Sequence, residues 1–379
     1  MKKVIAMLLT ALMLTPFGSQ PQITDNEEQT AMIEIDENQS FTAKLMQSMD
    51  ENENYFISPF SIKTALAMAA NGADGVTRDE IIKTADIGDL KEYNSTVLDI
   101  ITRYGKGGSI KLDVADSIWI NESRNGGRQF TDSFKSLVEK YYNGTSETVT
   151  DSDAVKRVNQ WVSDNTNGKI KDIISDSDFG ALLANAVYFK GAWRTEFHEA
   201  NTSEDDFTNK NGNVSRTEFM NITDDFNYYA DENVKVIELP YTYEEDKDVS
   251  MFLILPKEGY EYDIEELLSG VELQNVSVKL KMPKFKTESF MSLKETLINL
   301  GMTDSFNPDK ADFSKMFTDG GMFIDEILHK TYIDVDEKGT EAAAVTVIMM
   351  KMTSMPFKPS EPEEFIADRP FAYCIRENI

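Results

Sequence analysis

The sequence EKGTEAAAVTVIMMKMTSMP, at residues 337–356, combines two conformational preferences that conflict. Its TEAAA part has the small residues that favour a helix, whereas its VTVIMM part has the β-branched and apolar residues that favour a strand. The FKPSEPEEF tract that follows is rich in Ser, Pro and Glu, which is typical of an exposed loop. A nearly uncharged run therefore lies beside a solvated loop, and the fold has to accommodate both.

The composition is that of a globular protein with a substantial core. The chain has 379 residues, of which 41% are hydrophobic and 27% charged. Its formal net charge is -28, from 66 acidic and 38 basic residues. Such a charge repels phosphate and sulfate polyanions, so we expect neither nucleic acid nor heparin as a partner. Cys374 is the only cysteine, which excludes an intrachain disulfide and leaves core packing to stabilise the protein.

The N-terminus, MKKVIAMLLTALMLTPFGSQ, places two lysines before an apolar run that extends from Val4 to Phe17. This layout is typical of a secretory signal peptide, and the run is short for a membrane span. A buried or membrane-anchoring helix is the alternative. We predict a signal peptide over residues 1–19 and a polar linker over residues 20–36. The mature protein is then expected to be secreted and extracellular, with no membrane contact once the signal is removed.

Hydrophobic periodicity indicates helices in the first part of the chain and mostly strands in the second. SIKTALAMAANG and SDAVKRVNQWVSDN have helical patterns, and both lie before residue 170. ALLANAVYFKGAW, from Ala181, has almost no charge and predicts a strand that is buried on both faces. NVSVKLKMPKF alternates apolar and polar residues, as a half-buried strand does. This order favours the α+β class.

The residues that enzyme or metal sites need are scarce. A Ser-His-Asp triad would have to use His198 or His329, the only histidines. No G-x-S-x-G, Walker or H-E-x-x-H motif occurs. Cys374 lies in an apolar strand pattern and is interpreted as a structural thiol. The Asp-Ser-Asp triplets at 151–153 and 176–178 lack further oxygen ligands and are interpreted as turns or helix caps. We therefore predict no catalytic site, metal or cofactor.

Six segments, in the order in which they follow one another, resemble signatures of the serpins, the serine protease inhibitor family. They are ISPFSIKTALAMAANGADGVTRDEI (57–81), VNQWVSDNTNGKI (158–170), LLANAVYFKGAW (182–193), LKMPKFKTE (280–288), ILHKTYIDVDEKGTEAAA (327–344) and ADRPFAYCIREN (367–378). The resemblance implies a single serpin domain over residues 37–379. Its fold would have three β-sheets, about nine helices and an exposed reactive-centre loop.

The resemblance also implies a mechanism, that of a suicide inhibitor. A target serine protease cleaves the loop and becomes linked to the inhibitor as an acyl-enzyme. The cut loop then inserts as a new strand into the central sheet and carries the protease with it. The inhibitor would act as a monomer that forms a covalent complex with the protease. Residues 337–356 would have to be both a soluble loop and a buried strand, which explains their mixed composition.

The hinge of this loop follows from its position in the motif. The resemblance assigns it to Glu337, Gly339, Thr340, Glu341, Ala342, Ala343 and Ala344. Gly339 permits the backbone rotation that a hinge needs. Side chains of an inserted strand alternate between faces, so the face that carries Thr340 is uncharged, whereas Glu341 lies on the other face, where it can stay hydrated. Since burying an unpaired charge is costly, this hinge favours an inhibitor over a non-inhibitory serpin.

Two further sites follow by motif. Ser58, Ser61, Asn185 and His329 match the family's shutter, a polar cluster under the central sheet where strands part to admit the loop. Trp193 matches the breach, at the top of the sheet, where insertion starts. For His329 and Trp193, ordinary structural roles nearly coincide with these assignments.

Family spacing from Gly339 places the reactive bond at Thr353–Ser354, and a small β-branched residue there suits an elastase-like protease. A shift of one or two residues changes the target. Met352 or Met355 would suit elastase-like or chymotrypsin-like enzymes, and Lys351 would suit trypsin-like ones.

The end of the chain and the choice of function each leave alternatives. The family continues past residue 379 with another hydrophobic strand that pairs with the last one, so we expect either a fragment or a final strand with an unpaired edge. The alternatives to a serine protease inhibitor are a non-inhibitory serpin acting as a binding or carrier protein, an inhibitor of cysteine proteases, and a hydrolase that uses His198 or His329.

Overall fold

The computed structural model describes residues 7–13, 39–49, 54–105, 107–244, 247–318, 321–341 and 361–378. Within them the helices are α1 Phe41–Gln47, α2 Pro59–Gly72, α3 Gly75–Thr84, α4 Leu90–Tyr104, α5 Asp132–Tyr142, α6 Ala154–Asn165, α7 Ile264–Gly270 and α8 Lys294–Asn299, with 3₁₀ turns at Glu199–Asn201 and Asp304–Phe306. These eight α-helices of the described residues are close to the number that the resemblance implies. None of them is both long enough and apolar enough to cross a membrane.

Most strands follow the first six helices, which is the order that the sequence predicts. The strands are β1 Met7–Met13, β2 Tyr55–Ile57, β3 Ile110–Asn121, β4 Thr145–Val149, β5 Ala181–Ala192, β6 Ser203–Thr208, β7 Val214–Ala230, β8 Val234–Pro240, β9 Val249–Pro256, β10 Gln274–Pro283, β11 Phe285–Ser292, β12 Glu326–Asp336, β13 Gly339–Thr340, β14 Glu363–Ile366 and β15 Phe371–Glu377. β14 begins inside the tract that the sequence assigns to an exposed loop, because residues 363–366 pair with β10.

Backbone hydrogen bonds join these strands into two sheets. One has the order β11-β12-β13-β5-β3-β4, and the other has the order β14-β10-β7-β8-β9-β15-β1-β2, with β6 also paired to β7. The long strand β7 pairs with β6 through residues 214–219 and with β8 through residues 227–230. The larger sheet therefore consists of two groups of strands. Together with the six-stranded sheet they give three sheets, so the predicted α+β class and the predicted number of sheets are confirmed.

The core explains why β5 lies inside the six-stranded sheet. Eleven of its twelve residues are buried. Leu183 and Val187 contribute to the main hydrophobic core, whereas Leu182 and Ala184 contribute to a second core that also contains residues of α6. A strand that is covered on both faces carries few polar side chains, as predicted. Asn185 is a polar residue that is nevertheless buried in this strand, whereas Lys190 is partly exposed.

Helix α2 begins directly beneath this strand. The Ser58 hydroxyl accepts a hydrogen bond from the Ser61 backbone N–H (3.2 Å), and Pro59 occupies the first helical turn. Twelve of the fourteen residues of α2 are buried, so the helix is packed inside the molecule. Its capped N-terminus therefore presents Ser58 and Ser61 to the underside of β5 and β12.

The last strand, β15, is paired on both sides. It runs antiparallel to β9, and residues 371–376 also pair antiparallel with residues 7–13 of β1. β1 in turn pairs with β2. In the full-length chain the last strand therefore has no unpaired edge, because an N-terminal strand lies there, and the expected unpaired edge would arise only when residues 1–19 are removed. The predicted signal peptide, residues 1–19, includes this strand, and its removal remains a prediction.

Candidate functional site

The candidate site lies along the boundary between β5 and β12, which we call the seam. The two strands run parallel and pair directly from Glu326–Tyr332 to Leu182–Tyr188. Beyond Tyr332 and Tyr188, β13 lies between them. Gly339 pairs with Ala192 of β5 and with Asp336 of β12, both antiparallel. The seam is thus closed over one half, and the first residues of the predicted hinge occupy the other.

Two residues of the hinge are fixed in the seam. Gly339 has a φ of +148°, and a Cβ added there would lie 2.1 Å from the Gly191 carbonyl oxygen, so a side chain does not fit. Thr340 is fully buried, and its hydroxyl lies 2.8 Å from the Tyr241 hydroxyl. At Thr340 the hinge therefore already has the backbone pairing and the burial of a β-strand.

Glu341 has a buried side chain in the uncleaved chain, whereas its predicted hydration refers to the inserted strand and stays a prediction. Its side chain is 6% exposed, and its carboxylate lies 2.8 Å from Lys169 Nζ. The reason is local geometry: Glu341 has a φ of +49°, which turns the chain away from the extended path of β13. Burial and the nearby Glu341 carboxylate both raise the pKa of Tyr188, the last residue of the closed half on β5.

Aromatic rings surround the start of the hinge. Trp193, the predicted breach residue, is buried and stacks on Tyr241 with centroids 4.7 Å apart. Its indole N–H donates to the Asp336 carbonyl oxygen at 2.9 Å. Tyr241 therefore contacts both Trp193 and Thr340, although nothing in the sequence around residue 241 indicates this role.

An ion pair anchors the chain just before the hinge. Glu337 is 8% exposed, lies 3.2 Å from Lys284 Nζ and accepts a hydrogen bond from the Thr202 hydroxyl at 2.7 Å. Burial raises the pKa of Glu337, but these two partners outweigh it and hold the pKa below its usual value. The sequence predicts Glu337 as a hinge residue, whereas Lys284 belongs to the LKMPKFKTE motif with no role assigned. We call Glu337, Gly339, Thr340, Trp193 and Tyr241 the hinge end of the seam.

The four predicted shutter residues meet in one buried cluster across the closed half. His329 of β12 lies opposite Asn185 of β5, with Nδ1 2.5 Å from Asn185 Oδ1. His329 Nε2 accepts a hydrogen bond from the Ser58 backbone N–H at 3.1 Å, so the Nδ1 atom carries the proton. The Asn185 amide donates to the Ser61 hydroxyl at 2.5 Å. Burial lowers the pKa of His329 to about 3, so its ring is neutral.

Asp116 completes this cluster, and the sequence analysis does not identify it. It lies on β3 opposite Asn185, whose amide donates to Asp116 Oδ1 at 2.6 Å. The residue is 1% exposed. Its one signal in the sequence is that it is a charged residue inside the apolar segment VADSIWI. We call Ser58, Ser61, Asp116, Asn185 and His329 the shutter cluster.

The remaining predicted residues lie elsewhere. The reactive bond and its neighbours, together with part of the hinge, lie outside the described residues: Ala342, Ala343, Ala344, Lys351, Met352, Thr353, Ser354 and Met355. His198 caps a 3₁₀ turn through Nδ1, at the surface. Cys374 is fully buried, which raises its pKa to about 12 and leaves the thiol protonated. Since His329 is bonded to a backbone N–H and to an amide, it is not arranged to activate a nucleophile.

Comparison with known proteins agrees with this geometry. The family model described as serpin (serine protease inhibitor) matches residues 36–379. A serpin-like protein of Thermococcus kodakarensis is 33% identical over 353 residues, covering 89% of this chain and 80% of that protein. The leukocyte elastase inhibitor of Xenopus laevis is 32% identical over 365 residues, covering 89% of this chain and 94% of that protein. The crystal structure of tengpin, a thermophilic serpin in its native state, is 32% identical with a TM-score of 0.76, covering 97% of this chain and 95% of tengpin. The chain therefore belongs to the serpin family.

Proposed function

We propose that this chain is a secreted, monomeric suicide inhibitor of serine proteases and not an enzyme. One observation carries the proposal: Gly339 and Thr340 already form a strand that is antiparallel to both β5 and β12. A cleaved loop would continue the same strand down the seam. The energy for trapping a protease would come from the backbone pairing and side-chain burial that this strand gains.

The register of β13 indicates where each loop residue would go. Thr340 pairs with Gly191 on β5 and with Val335 on β12. Three residues further along the loop, residue 343 would meet Tyr188 and Tyr332, which is the first closed pair of the seam. Six residues along, Thr346 would meet Asn185 and His329 of the shutter cluster. Insertion beyond the hinge therefore has to separate the closed half of the seam.

The loop has a composition that suits this path. The Thr340 side chain points into the buried side of the sheet, against Tyr241. Because side chains alternate, the inserted residues on the same face would be Ala342, Ala344, Thr346 and Ile348. None of them carries a charge, so their burial leaves no ion unpaired. A carrier protein has no need for such a loop, and this favours the inhibitor over the non-inhibitory alternative.

The proposed target is an elastase-like serine protease. Thr353 before the proposed reactive bond suits a shallow specificity pocket, and the Xenopus laevis relative is named a leukocyte elastase inhibitor. A trypsin-like enzyme acting at Lys351, or a cysteine protease, is the rival target.

Incubation with pancreatic elastase tests the proposal. A product that survives boiling in SDS, with the mass of the protease plus the chain minus a released C-terminal peptide, is expected. Elastase whose catalytic serine is blocked beforehand is the control and should give no such product. Clean cleavage without a complex would contradict inhibition and support the carrier. Mass spectrometry of the released peptide identifies the cleaved bond and distinguishes Thr353 from Lys351.

Secretion requires its own test, since the predicted signal peptide contains β1. We expect the exported protein to begin near residue 20, as intact-mass measurement of the culture medium would show. A retained N-terminus would instead contradict signal removal and leave β1 between β15 and β2.

A further inference from the structure

The Asp116 carboxyl group is buried in the shutter cluster with one oxygen satisfied and the other not. Asp116 Oδ1 accepts the Asn185 amide at 2.6 Å, whereas Asp116 Oδ2 has no hydrogen-bond partner among the described residues. A carboxylate that is 1% exposed and half satisfied is costly when ionised, because it is shielded from bulk solvent and no basic side chain of the described residues pairs with it. A protonated carboxyl group is much cheaper to bury in the same place.

The groups around Asp116 do not compensate its charge. Tyr93 of α4 and Tyr142 of α5 are the titratable side chains that interact with it, and His329 of β12 lies beyond Asn185. Burial raises the pKa of both phenols, so they stay neutral. His329 stays neutral as well, because its pKa lies at about 3. No salt bridge between described residues involves Asp116, which leaves it as the group of this cluster that changes charge near neutral pH.

We propose that Asp116 is a positioning residue for loop insertion, and that its proton controls how readily the seam opens. The effect on loop insertion rests on the proposed function, whereas the effect of the Asp116 proton on closure of the seam does not. Asp116 Oδ1 accepts the Asn185 amide in either protonation state, so that Asn185 Oδ1 stays directed at His329. When protonated, Asp116 adds no charge to the closed seam. When ionised, it places an unpaired charge beside the seam. Parting β5 from β12 admits water to that charge, so ionisation favours opening.

The pKa of Asp116 falls in a range where this control would operate. Burial raises it to about 7, and the hydrogen bond from Asn185 only partly offsets the burial. A carboxyl group whose pKa is raised on folding gives stability that is lost as the pH rises through the folded value. The closed seam should therefore be most stable below neutral pH.

Asp116→Asn tests the charge alone, because the asparagine has nearly the same shape as the aspartate, keeps an oxygen acceptor for the Asn185 amide and cannot ionise. The probe is a synthetic peptide with the sequence of residues 342–351, whose uptake into the seam is followed on native gels without any protease. Between pH 5.5 and pH 8.5, uptake by the wild type should accelerate about tenfold, which corresponds to one unit of pKa difference between the closed and open seam. Uptake by Asp116→Asn should change less than about twofold. Asp113→Asn, on the same strand and paired with Lys111, is the control and should behave as wild type.

A melting series provides a second readout that does not need insertion. The Tm of Asp116→Asn should exceed that of the wild type by an amount that grows as the pH rises from 5.5 to 8.5. Equal pH dependence of the wild type and Asp116→Asn in either assay would overturn the role of Asp116. Failure of every variant to take up peptide would instead contradict loop insertion and with it the positioning role, and the melting series would then decide only whether the proton of Asp116 stabilises the closed seam.

Discussion

At the hinge end of the seam the structure places stacked aromatic rings and an ion pair, whereas at the shutter cluster it places amide, imidazole and hydroxyl groups and one buried carboxyl group, joined by short hydrogen bonds. At the hinge end a strand already separates β5 from β12, and at the shutter cluster these strands are in direct contact. The difference indicates that insertion has a prepared starting point and meets its obstacle several residues later. The hinge end determines whether the loop enters, and the shutter cluster determines whether it proceeds.

The hinge end and the shutter cluster also differ in how their charges are paired. Glu337 is anchored by Lys284 before the strand begins, so its charge does not have to move during insertion. The shutter cluster has no such cation among the described residues. Its polar atoms have to exchange partners when the strands part, and neutral groups do so at a smaller desolvation cost than ions.

The largest effect is expected from a charge at the hinge. Thr340→Arg would place a guanidinium group where the side chain is fully buried against Tyr241. Because Thr340 already lies in β13, Arg should expel the hinge from the seam, and its re-entry after cleavage would bury that charge without a partner at a cost of several kcal/mol. The loop should therefore be cleaved without trapping the protease. The number of inhibitor molecules consumed per protease should rise at least about tenfold, measured by titration of elastase activity. Thr208→Arg, at an exposed position of β6, should inhibit as wild type does. Unchanged titration by Thr340→Arg would mean that trapping does not need residue 340 to lie in the sheet.

The next effect concerns the shutter cluster. His329→Ala removes the imidazole that bonds Asn185 Oδ1 and the Ser58 backbone N–H, and it opens a cavity. Unsatisfied buried groups cost about 1–3 kcal/mol each, so unfolding in urea should show a loss of about 2–5 kcal/mol. The seam should also open spontaneously more often, seen as faster loss of inhibitory activity at elevated temperature.

His198→Ala is the matched control, because its ring lies at the surface and caps only a 3₁₀ turn. Its stability should stay within about 0.5 kcal/mol of the wild type. Neither variant should alter hydrolysis of a chromogenic substrate, since no turnover is expected from the wild type. Turnover that disappears in one of them would support the hydrolase alternative instead.

A smaller effect is expected from the ion pair at the hinge end. Lys284→Met leaves the Glu337 carboxylate 8% exposed with only Thr202 as a side-chain partner, which should cost about 1–3 kcal/mol at neutral pH. The pKa of Glu337 is lowered in the folded protein, so its stabilisation is present above the unfolded pKa and is lost as the pH falls through the folded one. The difference in unfolding free energy between Lys284→Met and the wild type should therefore shrink below about pH 4. A difference that is independent of pH would mean that the lost alkyl packing of Lys284, and not its charge, matters.

Sequence reasoning identifies the parts of this seam that lie within short motifs. Ser58, Asn185 and His329 are each found from their neighbours in the chain, and β5 is found from its uncharged run. Tyr241 and Asp116 are not, because their roles come from contacts with residues 99 and 69 positions away, which only the folded chain brings together. The sequence also does not predict that residues 7–13 form a strand, since they have the layout of a secretory signal.

The smallest effect should come from the loop residue that would reach the shutter cluster. If the register of β13 continues, the Thr346 hydroxyl takes the place between Asn185 and His329 and offers each a hydrogen bond when their own is broken. Thr346→Val has nearly the same shape but no hydroxyl, so insertion should slow about two- to tenfold, equivalent to about one hydrogen bond of 0.5–1.5 kcal/mol. Thr346→Ser keeps the hydroxyl and should insert within about twofold of the wild-type rate. Stopped-flow measurement with a fluorescent label on the loop follows the step directly. Equal insertion rates of the Thr346→Val and Thr346→Ser variants would contradict this role of the hydroxyl. The strand would then enter in another register, or water would satisfy the hydrogen bonds of the shutter cluster. In either case the obstacle in the seam would be the separation of Tyr188 from Tyr332.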